Sequence, residues 1–569
     1  MTEVAASAAP PPKAGRREWV GLAVLALPAM LISMDMTVLY LAVPALSADL
    51  APTSSQLLWI LDIYAFLVAG FLMTMGSLGD RIGRRKLLII GAAAFGLASV
   101  VAAYAPNAEL LIAARALLGI AGATLMPSTL ALIRNMFHDP AQRASAIAVW
   151  MTAFMVGMSI GPLVGGAFLS NFWWGSVFLM AVPAMVLLLA AAPVLLPEHK
   201  DPAPGRLDGW SLLLSVGAMM TLVYGVKEIA KDGIAVQPAL IALLGVALGT
   251  VFVLRQRTLE APLLDLKLFA NRKFSASLAT MTLVLFAMAG MYLFMAQYLQ
   301  LILGMSPFEA GLWTLPQTVA MMVVGAVTPG LVKKYRPAYV MAAGLAVAVV
   351  GCSLYTQLDG GQLGLLIVGN VIFALGLGPM TIMGTDMILG AVEPDKAGIA
   401  SAVSETNQEL GNALGVALLG SVGTAVYRGH LEDTMPQGVD AGTAEVALDT
   451  LGGALASAAE LPGRAGEALA DAARTAFTEG LHFNAVVSAT LIAGAAVLVA
   501  VLLKHVQPVA QDLAGGGPEQ DPAAAKGTAE PAPAVQDPAA KGSQGEVQAP
   551  SGVAGAPSPE GELNPVKST

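Results

Sequence analysis

Charge is scarce in this chain. Of its 569 residues only 12% are Asp, Glu, Lys or Arg, while 56% are hydrophobic, and the mean hydropathy is +0.70. A soluble domain carries about twice that charged fraction. Cysteine is nearly absent: Cys352 stands alone inside an apolar run, which excludes a disulfide framework or a cysteine zinc site. Four of the five histidines (His138, His199, His430 and His505) fall outside the apolar runs and His482 stands at the very start of the last one, which argues against an imidazole proton relay in a membrane. The apolar runs are continuous rather than alternating, so a closed β-barrel is excluded. No nucleophile–base set and no metal-ligating cluster is legible, which argues against an enzyme. No cofactor, metal or nucleic-acid partner is expected.

What the chain does have is apolar runs of about 20 residues, each long enough to cross a bilayer. They fall near 19–43, 55–77, 86–104, 109–133, 141–168, 172–196, 210–228, 236–255, 274–301, 307–332, 338–357, 362–388, 397–427 and 481–504, fourteen in all. The reading is an all-α polytopic membrane protein. Lys and Arg concentrate in alternate loops: Arg81, Arg84, Arg85 and Lys86; Arg134 and Arg143; Arg255, Arg257, Lys267, Arg272 and Lys273; Lys333, Lys334 and Arg336. Basic loops stay on the cytoplasmic side. Both termini are therefore expected to be cytoplasmic, in a multi-pass protein of the cell membrane.

The net charge of −9 belongs to the appendages. Segment 428–482 and tail 506–569 together carry −11, leaving the remaining chain near +2. Residues 1–18 form an N-terminal cytoplasmic segment rich in Ala and Pro. A signal peptide can begin this way, but thirteen further spans follow, so the first span reads as a retained anchor. The glycine-opened basic loops "GSLGDRIGRRKLL" (76–88) and "PGLVKKYRPAYV" (329–340) form a weak internal repeat. If spans 7 and 8 are an insertion, each loop falls between the second and third helices of a six-helix half. This predicts an N-terminal six-helix bundle at 19–196, a linker and two inserted helices at 197–272, and a C-terminal six-helix bundle at 273–505. Within 428–480, helical spacing on either side of "ELPGR" predicts an extracellular hairpin of two short amphipathic helices. The tail 506–569 is expected to be disordered.

Ionisable groups inside spans are costly, about 2.5–3.5 kcal/mol each at the bilayer centre. The clearest are Asp35, Asp62, Arg115, Glu405 and Glu409, with Asp386 near a helix end. Each either serves a substrate or proton, or joins helices through an ion pair. At 1.5 Å per residue, Asp35, Asp62 and Arg115 lie about 9–12 Å deep from the outer side, in one layer. Glu405 lies about 12 Å and Glu409 about 18 Å from the cytoplasmic side, on one helix face. Desolvated carboxylates of this kind can hold a proton near neutrality and exchange it for a cation. Trp59, Tyr64, Tyr292 and Tyr298 either line an adaptable cavity suited to cations or face lipid and neighbouring helices.

Two glycine patterns stand out. In the first basic loop, Gly76 and Gly83 allow a tight turn beside Asp80, Arg81 and Arg84. In the fifth span, Gly157, Gly161 and Gly165 recur every fourth residue, beside Pro162 and Gly166, as tight helix packing requires.

Together these stretches resemble the major facilitator superfamily, and within it the 14-helix drug–proton antiporters. The first basic loop matches the family's loop signature. "LIAARALLGIAGATLMPS" (111–128), "GMSIGPLVGG" (157–166), "MDMTVLYLAVPAL" (34–46), "WILDIYAFLVAG" (59–70) and "SETNQELGNALG" (404–415) resemble its helix motifs. The resemblance implies a major facilitator fold with two six-helix bundles and two extra helices. It implies proton-driven export of lipophilic cationic drugs, dyes and quaternary ammonium antiseptics by alternating access, with a dedicated exporter of one metabolite or antibiotic as the alternative. It implies that Asp35, Asp62, Glu405 and Glu409 bind substrate or protons and that Arg115 assists proton transfer. It further implies that the Gly76–Arg84 loop gates and that the Gly157–Gly166 motif favours export. The partners implied are lipophilic cations, protons and membrane lipids, with the chain acting as a monomer. Spans 9 to 11 lack the additional acid found in some exporters of dications, which weighs against dication export.

Overall fold

The computed structural model describes residues 13–198, 200, 208–232, 235–259, 262, 264–392 and 397–504. Residues 1–12, linker residues 201–207 with His199, and the tail 506–569 with its expected disorder lie outside them. Fourteen helical segments are long and apolar enough to cross a membrane, and no strand occurs among the described residues. The chain is a multi-pass membrane protein.

The first five spans are α1 (Arg16–Leu50), α2 (Ser54–Ile82), α3 (Arg84–Ala103), α4 (Ala108–Met136) and α5 (Pro140–Asn171). The sixth is formed by α6 (Ser176–Leu179) and α7 (Ala181–Leu195); α8 (Gly209–Asp232) and α9 (Val236–Thr258) follow. The second half begins with α10 (Arg272–Gln297), which ends in a π-helical turn at Tyr298–Ile302. The tenth span is α11 (Pro307–Leu312) plus α12 (Leu315–Lys334). Then come α13 (Pro337–Tyr355), α14 (Leu363–Leu389), α15 (Ala397–Asp433), α16 (Ala441–Asp449), α17 (Leu451–Glu460) and α18 (Arg464–Leu502). Helix starts are set by local chemistry. Thr53 and Gln56 form a capping box on α2, and Asn107 and Asp139 accept the first free amides of α4 and α5.

In the first half α1 packs on α5, α2 on α4, and α3 on α4 and α7; in the second, α10 packs on α15 and α18, and α13 on α14 and α18. The helices α8 and α9 pack on each other, and α8 reaches the rest of the protein where α2 meets α15. Phe66 of α2, Val223 of α8 and Ala413 and Ala417 of α15 share one buried apolar cluster there. The outer helix α9 presents Leu240, Leu243, Val246 and Val251 at the surface, as a lipid-facing helix does.

The N-terminal segment and the basic loops share one side. Ala14 N donates to Gln142 Oε1 at 2.8 Å, Arg85 N donates to Glu198 Oε1 at 3.1 Å, and Arg336 donates to the Lys504 carbonyl at 3.2 Å. On the opposite side the two halves are held together. Gln300 Nε2 donates to the Leu41 carbonyl at 3.0 Å. Gly166 of α5 lies against Pro307 and Phe308 of α11, and Gly420 of α15 against Leu58 of α2.

The 428–480 segment departs from two short helices in a hairpin. Span 13 continues without a break to Asp433. The first hairpin helix is split into α16 and α17 at Thr450, whose hydroxyl caps α17 by accepting from Gly453 N. The turn does fall at 461–463, but the second helix is continuous with span 14 as a single 39-residue rod. Nothing in "RAGEALADAARTAFTEGLHFN" interrupts it, because Ala, Leu, Glu and Arg all favour helix. The hairpin meets both halves: Ser54 Oγ at the start of α2 donates to Asp449 at 3.1 Å, and Tyr427 of α15 donates to the Ala447 carbonyl at 2.7 Å.

Candidate functional site

Asp35 and Arg115 are brought together as their shared depth implies. Arg115 Nη1 donates to Asp35 Oδ2 at 2.7 Å, and Arg115 Nε donates to the Ile60 carbonyl of α2 at 3.1 Å. The arginine side chain is 2% exposed and the aspartate 18%. The guanidinium lies over the Tyr64 ring at 4.7 Å and near the Phe178 ring at 5.9 Å, so aromatic faces as well as the carboxylate hold it. Asp35 keeps one open flank. It lines a pocket with Leu31 and Met34 of α1, Phe95 and Ser99 of α3, and Phe178 of α6. An acid at the edge of an apolar pocket, half-neutralised by an arginine, can exchange that partner for a proton or an organic cation.

The acids of α15 lie on the other half. Asn407 and Gly411, four residues apart, turn towards α10: Thr282 donates to Asn407 Oδ1 at 2.7 Å, and Asn407 Nδ2 donates to the Leu278 carbonyl at 3.3 Å. That fixes the rotation of α15 and points Glu405 and Glu409 the other way, at the first bundle. Glu405 interacts electrostatically with Arg134 of α4. Glu409 interacts with Glu405, with Tyr40 of α1 and with Tyr64 of α2. Glu409 Oε2 and the Tyr64 hydroxyl are both buried without a hydrogen-bond partner. Unsatisfied polar atoms of this kind are uncommon and costly, and here they face the junction between the bundles. Tyr64 thus interacts electrostatically both with Glu409 and with the Arg115–Asp35 pair.

Asp62 does not join this layer. Its carboxylate turns to α8, where Lys227 Nζ stands 2.7 Å from Asp62 Oδ2, with the two side chains 1% and 0% exposed. The Lys227 ammonium also lies 4.0 Å from the centre of the Trp59 ring. Asp62 thus stands in an ion pair that joins α2 to α8, the second of the two readings open to a carboxylate within a span. Lys227 is absent from the sequence-level candidates because it falls at the end of the seventh run, in "VKEIAKD", where solvated charge is ordinary.

The aromatic residues divide. Trp59 faces α8, stacking on Tyr224 with ring centroids 6.4 Å apart, and Tyr298 is fully buried in the π-helical turn. Trp59 thus packs at the α2–α8 seam and Tyr298 in the core of the protein. Tyr64 packs on Gly122 beneath Arg115. Tyr292 remains partly exposed and accepts a bond from Gln317.

The loop motif is docked. Asp80 pairs with Arg84 at 2.6 Å. Gly83 has φ of 110°, a conformation glycine alone adopts freely, and a Cβ there would stand 2.4 Å from Glu198 Oε1. Glu198 in turn pairs with Arg85 at 3.5 Å, and Arg85 donates to the Leu196 carbonyl at 3.0 Å. Arg81 is exposed and Gly76 has open space around it. Glu198, unmarked by the sequence motif, is the acid that ties the loop to the end of α7. In α5, Gly157, Gly161 and Gly165 lie against Met30, Met34 and Val38 of α1 in turn, Gly166 faces α11, and the Pro162 carbonyl lies against Gly311 of α11. The motif is the surface on which α5 meets both halves.

Comparison with known proteins places these residues in context. The family model of the Major Facilitator Superfamily matches residues 25–416. The chain is 43% identical over 490 residues to the multidrug efflux pump LfrA of Mycolicibacterium smegmatis, covering 86% of this chain and 97% of that one. It is 33% identical to the methyl viologen resistance protein SmvA of Salmonella typhimurium, covering 81% and 93%. It is 30% identical to the tetracenomycin C resistance and export protein of Streptomyces glaucescens, covering 85% and 90%. Among solved structures, a bacterial homologue of the human lysosomal transporter Spinster, inward-facing and unoccupied, superposes with a TM-score of 0.61. It shares 18% identity and covers 86% of this chain and 98% of that one.

Proposed function

Because the chain belongs to the Major Facilitator Superfamily, we propose that it is a proton-coupled antiporter exporting lipophilic cationic drugs, dyes and quaternary ammonium compounds across the cytoplasmic membrane by alternating access. It is a drug-exporting transporter and not an enzyme. The observation that carries the finer reading is the facing arrangement of acids. Asp35, held by Arg115, sits on one half, Glu409, with an unpartnered oxygen, sits on the other, and both interact electrostatically with Tyr64.

In this reading a cation entering from the side of the basic loops meets Glu405 and Glu409. Its charge offsets the cost of keeping both carboxylates ionised. At Asp35 the arriving group competes with Arg115, and protonation of the acids releases the cation after the halves have rocked. No cofactor takes part. The drive is about 1.4 kcal/mol per pH unit. The membrane potential adds about 2.3 kcal/mol per 100 mV for each net charge moved, and one-for-one exchange of a proton with a monovalent cation moves none. Both termini are cytoplasmic, and the closed hairpin side faces outward.

Ethidium efflux from cells carrying the chain, with and without a protonophore, tests the coupling. Efflux that continues unchanged after the proton gradient collapses overturns it. Relatives named for one antibiotic, tetracenomycin C, puromycin or actinorhodin, favour a second reading in which one endogenous product is the cargo. Transport of a single compound with no competition from dyes would establish that.

A further inference from the structure

Trp59 and Asp62 hold a lysine on the hairpin-side part of the α2–α8 seam, and Tyr224 backs the Trp59 ring. Trp59 offers its ring face to Lys227 Nζ at 4.0 Å. Tyr224, one turn before Lys227 on α8, stacks on Trp59 at 30° with centroids 6.4 Å apart. Asp62 closes the remaining side at 2.7 Å. A carboxylate beside aromatic faces is the arrangement by which proteins hold alkylammonium ions. Here the ammonium belongs to the chain itself.

Stability alone does not account for this pair. Burying an ion pair costs as much desolvation as its attraction returns, and apolar replacements of the same volume are often no less stable. Lys227 also leaves the carboxylate incompletely satisfied, since Asp62 Oδ1 is buried without a hydrogen-bond partner. Lys227 and Asp62 are buried, while Tyr224, which backs the Trp59 ring, is 40% exposed. Truncating Lys227 to alanine would remove as many heavy atoms as a trimethylammonium headgroup contains.

We propose that Trp59, Tyr224 and Asp62 form an organic-cation site which Lys227 fills as a tethered occupant. Lys227 thereby determines specificity, by keeping a second cation out of the α2–α8 seam. The site lies on the α2–α8 seam, with Asp62 within electrostatic reach of Arg115, and binding reads it without transport, so its failure is distinguishable from failure of the export reading.

The probe is benzyltrimethylammonium, measured by equilibrium dialysis on the full chain in lipid nanodiscs. Lys227→Ala is expected to bind about one further equivalent per chain relative to the unaltered protein. Adding Trp59→Leu or Asp62→Asn to Lys227→Ala should remove that equivalent. An unchanged stoichiometry in folded Lys227→Ala overturns the proposal, as does a further equivalent that survives both added substitutions. If Lys227→Ala fails to accumulate because Asp62 is left unpaired, benzyltrimethylammonium in the growth medium should restore it. Restoration by Asp62→Asn and not by the ligand would show a purely structural pair and overturn the proposal.

Discussion

Arg115 Nη1 stands 2.7 Å from Asp35 Oδ2 while the same guanidinium lies 4.7 Å from the centre of the Tyr64 ring. A change of charge on Asp35 therefore alters the field at Tyr64, which also interacts electrostatically with Glu409 of the opposite half. In the proposed mechanism, proton or cation occupancy on one bundle is therefore felt on the other through the field at Tyr64.

Asp35→Asn should fold and lose ethidium efflux by about tenfold or more, because the amide keeps the shape but gives up the charge that a cation or proton contests. Arg115→Ala should lose stability as well, by about 3 kcal/mol, since it strands a partly buried carboxylate. Efflux rates and melting temperatures of both variants check this. Equal stability loss in the two would contradict the assigned geometry.

Glu409→Gln should flatten the dependence of dye efflux on external pH at least as strongly as Glu405→Gln. Glu405 has Arg134 nearby, whereas Glu409 has a buried oxygen with no partner. Transport in everted vesicles at two imposed pH gradients reads the difference. If neither substitution alters the pH response, the acids of α15 are not the coupling groups.

Gly157→Ala should impair export even though it adds one methyl group. A Cβ at this position would stand 2.2 Å from the Met30 carbonyl, and forcing the α1–α5 contact apart costs about 1–3 kcal/mol. Gly494→Ala, where nothing lies within 4 Å, serves as the control. Equal efflux by both would mean that the α1–α5 contact tolerates separation.

The start of α8 carries a pH-sensitive tie. Asp208 accepts two bonds from Arg255 at 2.9 Å, and these hold the pKa of its carboxyl down at about 2, below the usual carboxylate range. A carboxyl lowered by folding stabilises the folded chain above its unfolded value and loses that contribution as pH falls towards 2. Asp208→Asn should lower the melting temperature at pH 7, and the gap from the unaltered chain should close between about pH 4 and 2. A gap that persists below that range would assign the effect to packing instead.

Hydropathy alone places fourteen spans, because each must bury its backbone polar groups in a helix and show apolar side chains to lipid. Asp35 and Arg115 are also legible, since two opposite charges at one depth in neighbouring helices have few other partners. Lys227 is not legible. Its burial depends on which helix α8 docks against, a long-range relation that neither its run nor its neighbours encode. The counter-ion of Asp62 is hidden for the same reason, as an acid looks free until its partner is located. The direction of Glu405 and Glu409 becomes readable once Thr282 claims Asn407. The inner end of the loop motif needs Glu198, which lies beyond the motif in what reads as linker.

The last helix has a mechanical consequence. A 39-residue helix is about 58 Å long at 1.5 Å per residue, roughly twice the thickness of the hydrocarbon layer. About half of α18 therefore stands clear of the bilayer as a stiff mast. Its base is set among α10, α13 and α15, and its tip is stayed by α17, which also lies against α1. Because a helix resists bending, a small tilt at the base becomes a sweep of several ångströms at the tip, where the two halves meet.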